Sequence, residues 1–287
     1  MIVFLNGKFI PEEKAQVSVF DRGFLYGDGL FETLRIYNGQ LFRWEKHWER
    51  FRRGAEFLKI KIPFSLIQIE QFVAQLIAEN KMPEAILRMN LSRGRGLRGY
   101  SPKGTEQPTF VLSLHDAPKL DGKNPVQWRL ATSSFRVQKN DPLTAIKNCN
   151  KLVQIMAREE AESKGADEAL ILNEENEIAE ATTANFFWIE DEKVFTPPLA
   201  NGALPGVTRS VVKEVCELLK ISFAEKSIGR NKLNLSEGIF LTSTSFEIIE
   251  VILVDNRDAP KSPLTKRIAR AYCEIILRET GGFDEKK

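Results

Sequence analysis

Residues 168–209 read EALILNEENEIAEATTANFFWIEDEKVFTPPLANGALPGVTR. Three short apolar or aromatic runs, EALILN, NFFWIE and KVFTP, are separated by polar turns, a pattern that predicts consecutive strands. The closing LPGVTR at 204–209 leads into Val211, Val212, Val215, Leu218 and Leu219, which share one face of a helix. A turn placed there aims backbone N–H groups and the Thr208 hydroxyl at a point where an anion is stabilised. A plain N-cap would explain Thr208 equally well.

Upstream, WRLATSSF at 128–135 predicts a strand and 149–163 a helix ended by Gly165. Downstream, GIFLTS and IIEVILVD add strands, and Ser262-Pro263 opens a helix that buries Leu264, Ile268, Ala271, Ile275 and Ile276. Nearer the start, IVFLNG and LFETLRIYNGQLF predict strands, with a hairpin turn at Asn38-Gly39. A helix carrying the stripe Trp44, Trp48, Phe51, Ala55 and Leu58 follows, then a helix over 64–80 and strands near 85–92 and 108–114. Residues 116–126, DAPKLDGKNPV, read as a linker because prolines, a glycine and charges interrupt every apolar pattern. The expectation is a two-domain α+β or α/β protein: a small N-terminal α/β domain over 1–118, a linker at 119–126, and a larger β-rich domain over 127–287.

A chain of 287 residues is long enough for two cores, and 43% apolar with 28% charged residues excludes disorder and a coiled coil as descriptions of the whole. Lysine and arginine number 41 against 39 acidic residues, so no global field favours nucleic acid or an acidic membrane. No stretch approaches 18 uncharged apolar residues and MIVFLNGKFI has no signal-peptide pattern, so a cytoplasmic protein is expected. Cys149, Cys216 and Cys273 form no CxxC pair, and His47 and His115 are the only histidines; no metal site is expected. Without a GxSxG elbow a hydrolase triad has no basis, and His47, beside Trp44 and Trp48, is assigned a structural hydrogen bond. Lysine, carboxylate and arginine chemistry remains. Gly94 to Gly99, GRGLRG, matches a dinucleotide fingerprint by letters, but Tyr-Ser-Pro-Lys-Gly follows and no helix is expected. Arg93, Arg95 and Arg98 of this loop leave a noncatalytic RNA-binding protein as a distant alternative.

Covalent amine chemistry needs one lysine whose charge is suppressed. Lys147 sits in a short turn between the 128–135 strand and the 149–163 helix, and Glu180 enters an apolar strand from a polar turn. Taken alone, each reads as a solvated surface charge. In company they do not. DRGFLYGDGLFETLR at 21–35, HWERF at 47–51, IKNCNKL at 146–152, EIAEATTANFFW at 177–188, LPGVTR at 204–209 and FLTSTSFEI at 240–248 occur in the order and spacing of the fold-type IV (class IV) pyridoxal-phosphate enzymes. The chain resembles that family, which contains branched-chain aminotransferases, D-amino acid aminotransferases and aminodeoxychorismate lyases.

The resemblance implies pyridoxal 5'-phosphate held as a Schiff base on Lys147, with Glu180 beside the ring nitrogen and Leu204 against the ring. It implies that Val207 and Thr208 bind the phosphate, that Arg50 of the HxxR helix adds a cationic clamp, and that the Ser243 and Thr244 turn supplies hydroxyls. It further implies small-molecule amino acid and 2-oxo acid substrates, and a homodimer whose sites borrow residues from the partner's small domain. Ser243-Thr244-Ser245 followed by Glu247 resembles the aminotransferases, whereas Phe31-Glu32-Thr33 and Arg98-Gly99-Tyr100-Ser101 resemble lyase segments. D-amino acid aminotransferases hold the substrate carboxylate with Tyr, Arg and His where Phe31, Arg98 and Tyr100 stand here. Arg98, a planar bidentate donor, is therefore expected to take that carboxylate beside Phe31 and Tyr100, with Arg93 or Arg95 as substitutes. The expected activity is a branched-chain or D-amino acid aminotransferase, with aminodeoxychorismate lyase as the alternative.

Overall fold

The computed structural model describes residues 1–122 and 124–281, so Lys123 of the expected linker and the last six residues lie outside the described residues. Chain contacts divide it into two units. The first holds Met1–Ala117, Ile146–Asn150 and the chain from Ile276. Its strands are β1 (Ile2–Leu5), β2 (Lys8–Pro11), β3 (Gly29–Tyr37), β4 (Gln40–Leu41), β5 (Ala85–Ser92) and β6 (Thr109–Asp116), and its helices α1 (Arg22–Tyr26), α2 (Trp44–Leu58) and α3 (Leu66–Asn80). The strands form one antiparallel sheet in the order β2-β1-β6-β5-β3-β4. Between β3 and β4, Asn38 and Gly39 both take positive φ (50° and 73°), the two-residue turn that the Asn-Gly pair predicts. Ser65 and Gln68 form a reciprocal capping box that starts α3 two residues later than the periodicity indicates.

Alternation along β3 and β5 gives the sheet two different faces. Leu30, Leu34 and Ile36 of β3 and Leu87, Met89 and Leu91 of β5 join Phe51 and Ala55 of α2 and Ile69, Val73 and Leu76 of α3 in one core. Phe31 and Thr33 of β3, and Arg88 and Asn90 of β5, alternate with these residues; Thr33 lies opposite Arg88 and Phe31 opposite Asn90.

The segment 146–150 sits in the C-terminal half of the sequence but pairs with β3. Phe31 N–H donates to Lys147 C=O (2.9 Å), Cys149 N–H donates to Gly29 C=O (2.9 Å), and Leu30 and Asn148 form an antiparallel bridge. The helix expected from 149 therefore begins only at Leu152. Ile146 enters the core under α2, where a Cβ on Gly54 would lie 2.9 Å from Leu30 Cδ1 and 3.2 Å from Ile146 Cγ2, so glycine lets the helix close on both. With Ile146 turned inward, the next residue, Lys147, turns to the other face.

The second unit holds Pro118–Ala145 and Lys151–Ile275. Its elements are β7 (Val126–Val137), α4 (Leu152–Ser163), β8 (Glu168–Asn173), β9 (Ile178–Ala181), β10 (Asn185–Glu190), β11 (Lys193–Thr196), α5 (Val207–Leu218), β12 (Phe223–Glu225), β13 (Gly238–Ser243), β14 (Glu247–Val254), β15 (Arg257–Asp258) and the start of α6 (Pro263–Thr280). The sheet runs β12-β11-β10-β13-β14-β7-β8-β9, with β15 on β14. It is mixed: β11/β12, β14/β7 and β7/β8 are parallel and the other pairs antiparallel. Phe186, Trp188, Leu241 and Ile249 lie in one of its cores, and Ala157 and Ala161 bring α4 close to Ala131, Ala169 and Ile171. Ser262 Oγ accepts from Leu264 N–H (3.3 Å) and caps α6 as the sequence indicates. No helix among the described residues is long and apolar enough to cross a membrane.

Candidate functional site

In the first unit, Lys147 lies opposite Phe31 on paired backbone, so their side chains share a face. Lys147 Nζ is 4.6 Å from the Phe31 ring centroid. Arg88 Cζ is 3.6 Å from the same centroid. Arg88 Nε donates to Asn90 Oδ1 (3.2 Å), and its two terminal nitrogens make no hydrogen bond to a described residue. Burial pushes the guanidinium pKa down, against the opposing influence of Cys149 and Glu32. A half-buried cation without a carboxylate is costly unless an anion arrives. Sequence reasoning missed Arg88. Its signal was present in AILRMNLS, where Arg88 and Asn90 are the polar members of an alternating strand and mark its non-core face.

Glu32 follows Phe31 and so faces the helices, fully buried. Arg50 Nε donates to Glu32 Oε1 (2.7 Å) and Arg50 Nη2 to Oε2 (2.8 Å), a bidentate pair. His47 Nδ1 lies 2.9 Å from Glu32 Oε2, the structural hydrogen bond assigned to it from sequence, and with a carboxylate as acceptor this nitrogen carries the proton. Burial raises the Glu32 pKa, but the charge and hydrogen bonds of Arg50 and the hydrogen bond from His47 outweigh it and hold the carboxyl at about 2. Burial lowers the His47 pKa; Glu32 opposes this, while Arg50 and Lys147 push it further down. The cluster is an ionised carboxylate, an arginine and a neutral imidazole.

Arg98 and Tyr100 stand elsewhere in this unit, on an exposed loop. Tyr100 is 87% and Leu97 76% exposed, and Arg98 makes no hydrogen bond to a described residue. Buried Arg22 fixes the loop by donating to the carbonyls of Gly99 (2.7 Å), Tyr100 (3.1 Å) and Ser101 (3.2 Å). Arg22 and Arg93 both donate to Asp28 Oδ2 at 2.8 Å. Arg93 is therefore engaged and does not present a free guanidinium, and Arg95 stacks 5.6 Å over Phe20. Residues 94–99 form no helix, as expected.

In the second unit, Glu180 Oε2 accepts from Leu204 N–H (2.9 Å) and from Asn185 Nδ2 (3.4 Å), while Asn185 Nδ2 also donates to Leu204 C=O (2.8 Å). The chain then turns at Gly206, where a Cβ would lie 1.9 Å from Asn185 Oδ1; only glycine permits that approach. Gly206 is the N-cap of α5 and no side chain caps it, so Val207 and Thr208 are the first residues of the helix rather than of a turn before it. Their N–H groups point from a helix N-terminus without intrahelical acceptors. Both side chains are buried; Leu218, expected on the buried face of α5, is exposed and Cys216 takes its place. Ser243 Oγ accepts from Phe246 N–H (3.1 Å) and closes the turn that carries Thr244. Thr242 lies directly across from Asn185 and shares its face; it is 2% exposed and its Oγ1 has no hydrogen-bond partner. Neither Asn185 nor Thr242 was singled out from sequence: threonine reads as an ordinary β-former, and the asparagine at the start of a strand reads as the end of the preceding polar turn.

Residues 29–254 match the family model described as "Amino-transferase class IV". The chain belongs to the class IV aminotransferases. It is 30% identical to the D-alanine aminotransferase of Staphylococcus aureus over 96% of this chain and 97% of that one. The branched-chain aminotransferase of Thermoproteus uzoniensis, solved with norvaline, is 30% identical and superposes with a TM-score of 0.89 over 100% and 96% of the two chains. The "Putative 4-amino-4-deoxychorismate lyase" of Legionella pneumophila is 29% identical with a TM-score of 0.83 over 94% and 97%. Class IV aminotransferases have the fold-type IV architecture and use pyridoxal 5'-phosphate with amino acid and 2-oxo acid substrates. The residues described fit that cofactor chemically: an amine for its aldehyde, a carboxylate for its ring nitrogen, an uncapped helix start for its phosphate, and an orphaned buried hydroxyl at Thr242. Among the described residues no group of His, Cys, Asp and Glu could hold a metal ion.

Proposed function

We propose that this chain is a transaminase of amino acids, with Lys147 Nζ as the amine that carries the cofactor and moves the proton. In the first unit Arg50, clamped by Glu32, would supply a fixed cation to the cofactor's phosphate, and Phe31 an apolar wall beside Lys147. In the second unit Glu180 would hold a proton on the ring nitrogen, Leu204 would cover the ring, and Val207 and Thr208 at the start of α5 would take the phosphate with hydroxyls from Ser243 and Thr244. When bound, the cofactor supplies an electron sink for the carbon that bears the substrate's amino group. Lys147 Nζ then takes the proton from that carbon and returns it elsewhere.

The observation that carries this reading is the shared ring: an amine and a guanidinium that no described carboxylate hydrogen-bonds lie 4.6 and 3.6 Å from the Phe31 centroid. That pairing suits a substrate with an amino group beside a carboxylate. Arg88 is accordingly the receptor we assign within the protomer. Arg98 and Tyr100, on their exposed loop, would serve the partner's site in a homodimer. Phe24, Leu25, Leu97 and Tyr100 expose apolar surface in the first unit, as Leu152, Ile155 and Met156 do on α4, which supports association with a second copy. We assign the two units to the two domains of the fold, with 119–126 as linker and the cytosol as location, consistent with three free cysteines.

The test is a half-reaction. Adding an amino acid without a 2-oxo acid acceptor should bleach the yellow holoenzyme, and borohydride should fix the cofactor to Lys147. Pyruvate released from aminodeoxychorismate, without bleaching by ordinary amino acids, would select the lyase reading. That reading has support in Phe31-Glu32-Thr33 and Arg98-Gly99-Tyr100-Ser101.

A further inference from the structure

Two cations face one aromatic ring in the first unit, and only one of them can lose its charge. Arg88 stays charged at every working pH, whereas Lys147 can release a proton. The two ring distances, 3.6 and 4.6 Å, place the guanidinium carbon and the amine within reach of direct electrostatic coupling. The charged or titratable side chains that act on this pair or on their neighbour His47 include Glu32 of β3, His47 and Arg50 of α2, and Cys149 of the segment that carries Lys147. Glu32 is held by Arg50 through two hydrogen bonds and by His47 through a third, which leaves no carboxylate for Arg88. Among the described residues no carboxylate is hydrogen-bonded to Arg88, and Glu32 and Cys149 act on its charge only through space.

We infer that Arg88 sets the proton affinity of the Lys147 nitrogen, so that a substrate carboxylate seated on Arg88 makes that nitrogen a stronger base. This rests on the assignment of Lys147 and Arg88 above. Before substrate arrives, the guanidinium charge disfavours a proton on Nζ. Once a carboxylate neutralises it, the same nitrogen holds a proton more firmly, as the removal of the proton from the substrate carbon requires. The energy of seating the carboxylate is thus transmitted to the group that acts next, with no movement of the backbone.

The experiment is a pH titration of the visible absorbance of the holoenzyme, with and without 3-methylbutanoate, a carboxylate that has no amino group. In the wild type, saturating carboxylate should raise the midpoint by about one pH unit, the effect of a unit charge ~8 Å away at an effective dielectric constant of ~30. Arg88→Met should start about one unit higher and not respond to the carboxylate. Arg88→Lys keeps the charge and should start near the wild-type midpoint. Arg88→Gln provides a second neutral variant should the methionine variant fold poorly. An unshifted midpoint in a folded neutral variant, or the same carboxylate response in the wild type and that variant, would overturn the inference. Borohydride mapping tests the assignment separately. Should the cofactor prove to sit elsewhere, competitive acetylation of the full chain across pH, read at the Lys147 peptide, still measures whether Arg88→Met raises the proton affinity of Nζ.

Discussion

Replacing Glu32 with alanine should destabilise the protein by about 3–5 kcal/mol at neutral pH, because it leaves the largely covered Arg50 guanidinium without its bidentate partner and the buried His47 without its acceptor. A second route gives a similar figure. The folded carboxyl is held at about 2 against an ordinary 4.5, which corresponds to about 3 kcal/mol of stabilisation above the unfolded value. Since the folded pKa is depressed, this contribution is complete above about pH 5 and fades as the pH falls through 4.5 toward 2. Between pH 6 and pH 3 the wild-type advantage over Glu32→Ala should shrink by about 2 kcal/mol. The assay is urea denaturation of both proteins across that pH range, with the difference between them read at each pH so that other carboxylates cancel. A difference that stays constant with pH would show that the pair with Arg50 does not hold the carboxylate ionised in the fold, and would refute the reasoning.

Gly206→Ala should lower stability by roughly 1–3 kcal/mol and weaken cofactor binding, because the new Cβ displaces the Asn185 amide that spans Glu180 and Leu204; fluorescence titration with pyridoxal phosphate reads the second effect. Thr242→Val should separate fold from function. Removing an unpartnered buried hydroxyl should leave the melting temperature equal or higher, while a weaker cofactor affinity would show what that hydroxyl is for; loss of stability with unchanged affinity would count against its assignment to the site. Phe24→Asp, at a side chain that is 74% exposed, should shift light scattering from dimer to monomer while the circular dichroism spectrum is kept.

The elements with local causes were legible in the sequence. The Asn38-Gly39 turn, the α2 stripe, the Ser262 cap and the absence of a helix at 94–99 all follow from residues within a few positions of each other. The positions that depend on distant partners were not. Nothing in IKNCNKL shows that Lys147, Asn148 and Cys149 pair with β3 instead of leading into a helix, because the partner lies more than a hundred residues away. Arg88 was hidden for the same reason: its isolation becomes visible only when Glu32 is seen to be committed to Arg50. Arg98 was conspicuous through its loop sequence, and in the structure it is an exposed side chain on a loop whose carbonyls Arg22 holds.

The loan of Ile146–Asn150 to the first unit has a practical corollary for anyone dissecting this protein. A fragment ended at the linker would leave Gly29 and Phe31 without their main-chain partners and open a void beside Gly54 where an isoleucine side chain now fits. The Lys147 amine would be left behind on the other piece, in a stretch deprived of the strand that orients it. Gene fusions, split reporters and truncation series should therefore treat 146–150 as part of the N-terminal half, whatever its place in the reading frame.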